Sequence, residues 1–197
     1  MSPKPADPEI RVALVETAAR LIATEGLAGL TLRRLTREVG TSTMAVYTHF
    51  GSMDELRRAI RREGFARLSE HLTGVPVSDD PVADLTMLGR AYWMNAVENP
   101  NLYRAMFMDG PTGLDEAGVG LETFDVLVDT VQRCIDAGRF DPGEALSRAI
   151  QVWGLIHGLV TLSLAQLLTA EDAMASLRDG ANNLFLAFGD SPDDPDR

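Results

Sequence analysis

Apolar residues recur at helical spacing along almost the whole chain. Ile10, Ala13, Leu14, Thr17, Ala18, Leu21 and Ile22 follow the i, i+3, i+4, i+7 pattern of a helix with one buried face, and Gly26 ends the run. Val82, Leu85, Leu88, Tyr92, Ala96 and Val97 form a second stripe. Leu121, Phe124, Val128, Val131 and Ile135 form a third, closed by Gly138. No segment alternates with period two for long enough to predict a sheet. Polar residues mark the helix starts. Asp7-Pro8, Asp80-Pro81, Asn99-Pro100 and Asp141-Pro142 each set a capping side chain before a proline, whose missing N–H is not needed at the first helical position. Ser52 with Glu55 reads as a capping box, and Asp141 is followed by a proline and by Glu144 at the third position. The pattern predicts an all-α protein of about nine helices, over 8–25, 32–39, 43–48, 53–72, 81–98, 100–108, 119–137, 142–168 and 170–188. Loops are expected at 76–80 and 109–120, and a disordered tail from Asp190.

The run from Ala149 to Ala170 carries no charge, and its length approaches the ~20 residues of a membrane span. It contains Gln151, His157, Thr161, Ser163 and Gln166 and lacks basic or aromatic anchors at both ends. A buried helix in a soluble oligomer is the better reading, with no membrane partner. Gly154 and Gly158 share one face of that helix and permit tight packing. The N-terminus has no apolar signal core, so a cytoplasmic protein is expected. The single cysteine, Cys134, reads as a small buried residue.

The net charge of −11 looks wrong for a partner of nucleic acid until its distribution is considered. Residues 1–71 carry eleven Lys/Arg against nine Asp/Glu, a net of +2, and the remainder carries −13. Only the first part can approach a polyanion. At physiological salt, charges more than about 8 Å away are largely screened.

Residues 31–50 concentrate the chemistry. A short helix from Leu32 turns Leu35 and Val39 inward, Gly40 supplies a cheap left-handed turn, and a second helix starts under a Thr41 or Ser42 cap. Two helices joined in this way form a helix-turn-helix, whose second helix enters the major groove. Its outward residues, Thr43, Met44, Ala45, Tyr47 and Thr48, include no acid. Such groups suit thymine methyls and base edges, while Tyr47, His49 and the Thr41 hydroxyl suit phosphate oxygens.

The sequence Gly40-Thr-Ser-Thr-Met-Ala-Val-Tyr47-Thr-His49-Phe50, followed by Asp54-Glu55-Leu56, resembles the signature of the TetR family. So does the preceding helix with Ala18-Ala19-Arg20-Leu21 and Glu25-Gly26. The resemblance implies a three-helix DNA-binding domain over 1–52, a connecting helix over 53–72, a helical effector-binding and dimerisation domain over 73–190 and a tail over 191–197. It implies a ligand-responsive repressor acting as a homodimer on palindromic double-stranded operator DNA, with an unknown small-molecule effector and no cofactor. Tyr47 and His49 would contact phosphates, with Thr31 and Thr41 beside them. Thr43, Met44 and Ala45 would face bases, and Arg33 would reach a guanine or a phosphate. Three positions depart from the family pattern: Thr36 replaces an alanine, Thr41 a small aliphatic residue, and Met53 a lysine that touches phosphate.

Ala91-Tyr92-Trp93, the segment from Asn99 to Phe107 and Trp153-Gly-Leu-Ile-His157-Gly158 resemble the TetR subgroup named for a Trp-His-Gly motif. Tyr92, Trp93, Met106, Phe107, Trp153 and His157 are candidate effector-pocket residues, against the plainer reading that they are core. His49, His71 and His157 are too dispersed for a metal cluster. No nucleophile, phosphate loop or acid–base pair predicts catalysis. The competing readings are an effector-binding module that has lost specific DNA binding and an enzyme using a C-terminal cavity.

Overall fold

The structure, a computed structural model, describes residues 7–108 and 120–191. Among these residues there are nine α-helices and one 3-10 turn, with no strand. The helices are α1 (Pro8–Glu25), α2 (Leu32–Val39), α3 (Thr43–Phe50), α4 (Met53–Thr73), α5 (Pro81–Glu98), α6 (Pro100–Met108), α7 (Leu121–Asp136), α8 (Ala145–Leu164) and α9 (Ala170–Ala187). The loop expected at 109–120 and the tail expected from Asp190 fall almost wholly outside the described residues.

Local chemistry accounts for most helix starts. Asp7 accepts from the Glu9 N–H at 3.0 Å, and Asp80 Oδ1 accepts from the Val82 and Ala83 N–H groups at 3.1 Å. Ser52 accepts from the Glu55 N–H at 3.1 Å, which satisfies one otherwise orphaned donor of α4. Asp141 does not cap α8. Its backbone N–H donates to the Phe188 carbonyl at 2.7 Å, and the helix begins only after Glu144, which makes no side-chain cap bond. The same helix stops at Leu164 rather than 168. Gln166 takes a left-handed φ of 60°, and the Leu167 N–H returns to the Leu162 carbonyl at 3.0 Å in a Schellman closure. In the other direction, α3 runs two residues beyond the expected 48, to Gly51 at φ 79°.

The chain divides into two compact units: Met1–Arg67 with Asn99–Gly120, and Leu68–Glu98 with Leu121–Arg197. In the first, Leu14, Ala18, Leu21, Leu35, Val46, Leu56 and Ile60 share a core with Leu102 and Ala105 of α6. Helix α6, expected with the C-terminal part, therefore packs with the N-terminal helices. In the second, Val82, Leu85, Val131, Cys134, Phe140, Ala149, Phe185 and Phe188 make the core. Burial pushes the Cys134 thiol up to about 12. Val97 and Leu121, assigned to buried stripes by periodicity, are exposed by 51% and 58%.

Arginines tie down the second unit. Arg133 donates to Asp84 and to the Ser78 carbonyl, and Arg139 bridges Asp80 and Asp190. Asp84 and Asp190 are both buried. Arg148 lies over the Phe140 and Phe188 rings.

Helix α8 is long and apolar enough to cross a membrane by length and composition alone, with a mean hydropathy of 1.2. It is not a buried helix within the chain, since only 22% of that stretch is covered. Leu146, Ile150 and Leu162 are exposed, as is Leu186 on α9. A Cβ added at Gly154 or Gly158 would meet nothing within 4 Å, so neither glycine serves tight packing inside the chain. The close glycine contact here is at Gly180, where a Cβ would press on Leu155 at 2.9 Å.

Candidate nucleic-acid interface

Helix α2 is set by its Thr31 cap, which accepts from the Arg34 N–H, and by Leu35 and Thr36, both buried. Gly40, at φ 75°, reverses the chain. The Thr41 N–H still reaches the Thr36 carbonyl at 2.9 Å, so the turn is tightly bonded. Ser42, not Thr41, caps α3 through the Ala45 N–H at 3.3 Å. Only Val46 of α3 is fully buried, with Phe50 half-buried against the same core. This single anchor line leaves Thr43, Met44, Tyr47 and Thr48 exposed, with Met44 at 68% and Tyr47 at 48%. An exposed thioether and phenol ring three residues apart leave apolar surface in water, and a two-turn helix offering them with hydroxyls matches a partner with methyls and acceptor edges.

The structure brings Thr31, Arg33, Thr41, Thr43, Met44, Ala45, Tyr47 and His49 together on α2, the turn and α3. Thr31 and Arg33 are exposed, whereas Thr41, Ala45 and His49 are half-buried. The Thr48 hydroxyl donates back to the Met44 carbonyl at 2.9 Å.

Charge is sorted within this unit. Arg34 pairs with both Glu25 and Glu38, and Arg20 pairs with Glu38. The Arg34 hydrogen bond holds Glu25 below the usual carboxylate range, and the Arg20 hydrogen bond does the same for Glu38. These pairs join α1 to α2 and occupy two cations internally. Deeper in the unit, Arg67 donates to Glu16, to Glu63 at 3.0 Å and to Asn99 at 2.6 Å, linking α1, α4 and the start of α6. Of this cluster only the Glu63–Arg67 spacing of four was visible along the chain.

The candidate effector residues Tyr92, Trp93, Trp153 and His157 lie in the second unit. In the second unit the Tyr92 hydroxyl lies 3.1 Å from His157 Nδ1, and the Trp153 indole N–H donates to it at 3.3 Å. The Trp153 ring is 5.3 Å from that of His157 and 5.9 Å from that of Phe124, which the sequence pattern had placed only in a core stripe. Burial lowers the His157 pKa, so the imidazole is neutral at pH 7. Trp93 is buried on the same helix as Tyr92. Met106 and Phe107 belong to the first unit. A side chain at Gly64 would collide with Met106, and Phe107 packs on Tyr103 and Phe65, with centroids 5.1 and 6.0 Å away.

Residues 14–60 match the family described as bacterial regulatory proteins, tetR family, and residues 85–184 match the tetracyclin repressor-like C-terminal domain. The chain belongs to the TetR family. It is a DNA-binding transcriptional regulator. Over 172 residues this TetR-family chain is 29% identical to an HTH-type transcriptional regulator of Mycobacterium tuberculosis, an alignment spanning 86% of this chain and 77% of the relative. Over 114 residues it is 31% identical to the HTH-type transcriptional repressor AcnR of Corynebacterium glutamicum, spanning 54% and 61%. Its fold is similar to that of AibR in complex with isovaleryl coenzyme A and operator DNA, with a TM-score of 0.72 at 19% identity over 89% of this chain and 98% of the other.

The departures from the TetR pattern are now explained in part. Thr36 is accommodated because its hydroxyl donates to the Arg33 carbonyl at 3.4 Å. Met53 is half-buried against the core, so this chain places packing where the pattern has a cation.

Proposed function

We propose that this regulator is a ligand-responsive, cytoplasmic repressor that binds a palindromic operator as a homodimer. The observation that carries it is the exposed, acid-free face of α3, held rigidly by the Thr31 and Ser42 caps and the Gly40 turn. Two copies would present recognition helices at half-sites about 34–36 Å apart, or a multiple of that. Thr43, Met44 and Ala45 would read base edges, and Thr31, Arg33, Thr41, Tyr47 and His49 would hold the backbone. The repressor role is supported by the likeness to AcnR.

The dimer contact would be the face of α8 and α9 that carries Leu146, Ile150, Gly154, Gly158, Leu162 and Leu186. Its open glycines let a second helix approach closely, and its exposed leucines would lose solvent on doing so. The effector would bind around Tyr92, Trp93, Trp153 and His157, in the part of the chain that resembles the Trp-His-Gly subgroup. A neutral imidazole, an indole and a phenol suit an apolar or aromatic compound with one or two polar atoms. The effector would act by favouring one of two dimer states, so its affinity difference between them sets the shift in occupancy.

Fluorescence anisotropy with DNA from upstream of the chain's own gene tests the reading. Tyr47→Ala is expected to weaken operator binding by more than about 1 kcal/mol, the scale of a hydrogen bond to a charged group. Gly158→Leu is expected to leave the protomer folded and yield monomers in sedimentation. Unchanged affinity in a folded Tyr47→Ala protein removes the DNA face assigned here.

A further inference from the structure

We infer that Arg11 and Arg37 are phosphate-contacting residues that bracket the recognition helix, one at each end. The inference rests on the DNA-binding reading above and adds two contacts that the sequence pattern did not supply.

Five arginines lie on α1 and α2: Arg11, Arg20, Arg33, Arg34 and Arg37. Arg20 and Arg34 are neutralised by Glu25 and Glu38. Among the described residues, Arg11, Arg33 and Arg37 have no carboxylate partner, and all three are exposed. The ion pairs thus select which cations keep their charge available. Arg33 already belongs to the interface. Arg37 follows it by four residues on the exposed face of α2, one turn nearer the Gly40 reversal that delivers the chain to the start of α3. Arg11 is at the other end: its guanidinium sits 5.5 Å from the centre of the Phe50 ring, the last residue of α3. The aromatic face attracts and aligns the guanidinium without cancelling its charge, leaving its edge N–H groups for an anion.

The dimensions agree. Eight residues of α-helix at 1.5 Å each make α3 about 12 Å long. The major groove is about 12 Å wide. Cations at both ends of such a helix therefore stand near the two phosphate walls while Met44 and Tyr47 occupy the space between. In a chain of net charge −11, unpaired arginines beside the reading helix supply attraction that the whole molecule does not.

The test is the salt dependence of operator and random-sequence binding by the full chain, comparing the parent with Arg11→Gln, Arg37→Gln, Arg33→Gln and Arg20→Gln. Each lost phosphate contact lowers the slope of log K against log salt by about 0.9, hence about 1.8 for a dimer. Arg11→Gln and Arg37→Gln are expected to show this decrease and to weaken both DNAs alike, while Arg20→Gln keeps the parent slope. Arg11→Lys, which retains the charge, is expected to retain the slope. Circular dichroism melts confirm that each variant is folded. Parent slopes in Arg11→Gln or Arg37→Gln, with Arg33→Gln still reduced, overturn the bracketing and leave the DNA-binding reading intact. A slope lost equally in Arg11→Lys and Arg11→Gln assigns Arg11 to packing and overturns it too. Failure of the parent to bind either DNA removes the underlying reading instead.

Discussion

The two units use arginine differently. In the first, Arg20 and Arg34 make ion pairs at the surface between α1 and α2, and Arg33 and Arg37 beside them have no carboxylate partner among the described residues. In the second, Arg133 and Arg139 reach buried carboxylates and fasten chain segments more than forty residues apart. Arg148 covers two phenylalanine rings and donates to the Asp141 carbonyl. An exposed pair is screened and loses side-chain entropy, so it adds little to stability. A pair with one buried member is costly to break, because the survivor keeps its charge without a partner. Besides Arg67, which ties Glu16, Glu63 and Asn99 together, the first unit holds its α1–α2 cations in exposed pairs. The second commits them to architecture.

Four substitutions sharpen or break this contrast. The largest expected effect is that of Phe140→Ala. Phe140 is 1% exposed and packs on Phe185 and Phe188, so denaturant unfolding is expected to lose about 3–5 kcal/mol. A loss below about 1 kcal/mol would mean that the aromatic cluster does not organise the second unit. Arg139→Ala comes next, at about 1.5–3 kcal/mol, the worth of hydrogen bonds to a charged group, because the Asp190 carboxylate would stay buried. Its counterpart Arg20→Ala is expected to leave the unfolding midpoint unmoved; equal losses from the two would erase the difference between the units.

The smallest effect concerns acid. Asp84 is held below the ordinary value of 3.8, first by the Ser78 hydroxyl, then by the Ser78 backbone N–H and by Arg133. A lowered folded pKa stabilises the protein fully above the unfolded value, and that contribution disappears as pH falls through the folded one. Ser78→Ala is expected to bring the Asp84 titration nearer 3.8 in carboxyl-detected NMR. Adding 1 M salt is expected to raise the Glu38 titration more than that of Asp84, since the exposed pair is the better screened. A larger response at Asp84 would count against the assignment of its charge to a protected site.

What could be read along the chain was whatever a few consecutive residues decide. Gly40 and Ser52 act within three or four positions of themselves, and the helix-turn-helix was legible from such local signals, although the Thr31 cap was not among those read. Asp141-Pro142 sends the same local signal, yet α8 starts only at Ala145 and Asp141 instead bonds through its N–H to Phe188, forty-seven residues away. Helix α6 joins the first unit through Leu102 and Ala105, a pairing with α1 that periodicity cannot specify. Gly154 and Gly158 were visible as a close-packing pair but not as an open one. Tyr92, Trp153 and His157 stood out along the chain, but not the hydrogen bonds that gather them.

Cys134 has a practical consequence. Burial raises its thiol well above the ordinary range and leaves the side chain fully covered, so little reactive thiolate is presented to solvent. As the only cysteine in the chain, it is expected to leave the protein slow to react with maleimides and methanethiosulfonates, which a labelling time course checks. A cysteine introduced at Met44 would then be the preferred labelling point. A spin label there would sit on the recognition helix itself, and the label-to-label distance in a dimer would read out the spacing of the two helices directly, with and without a bound effector.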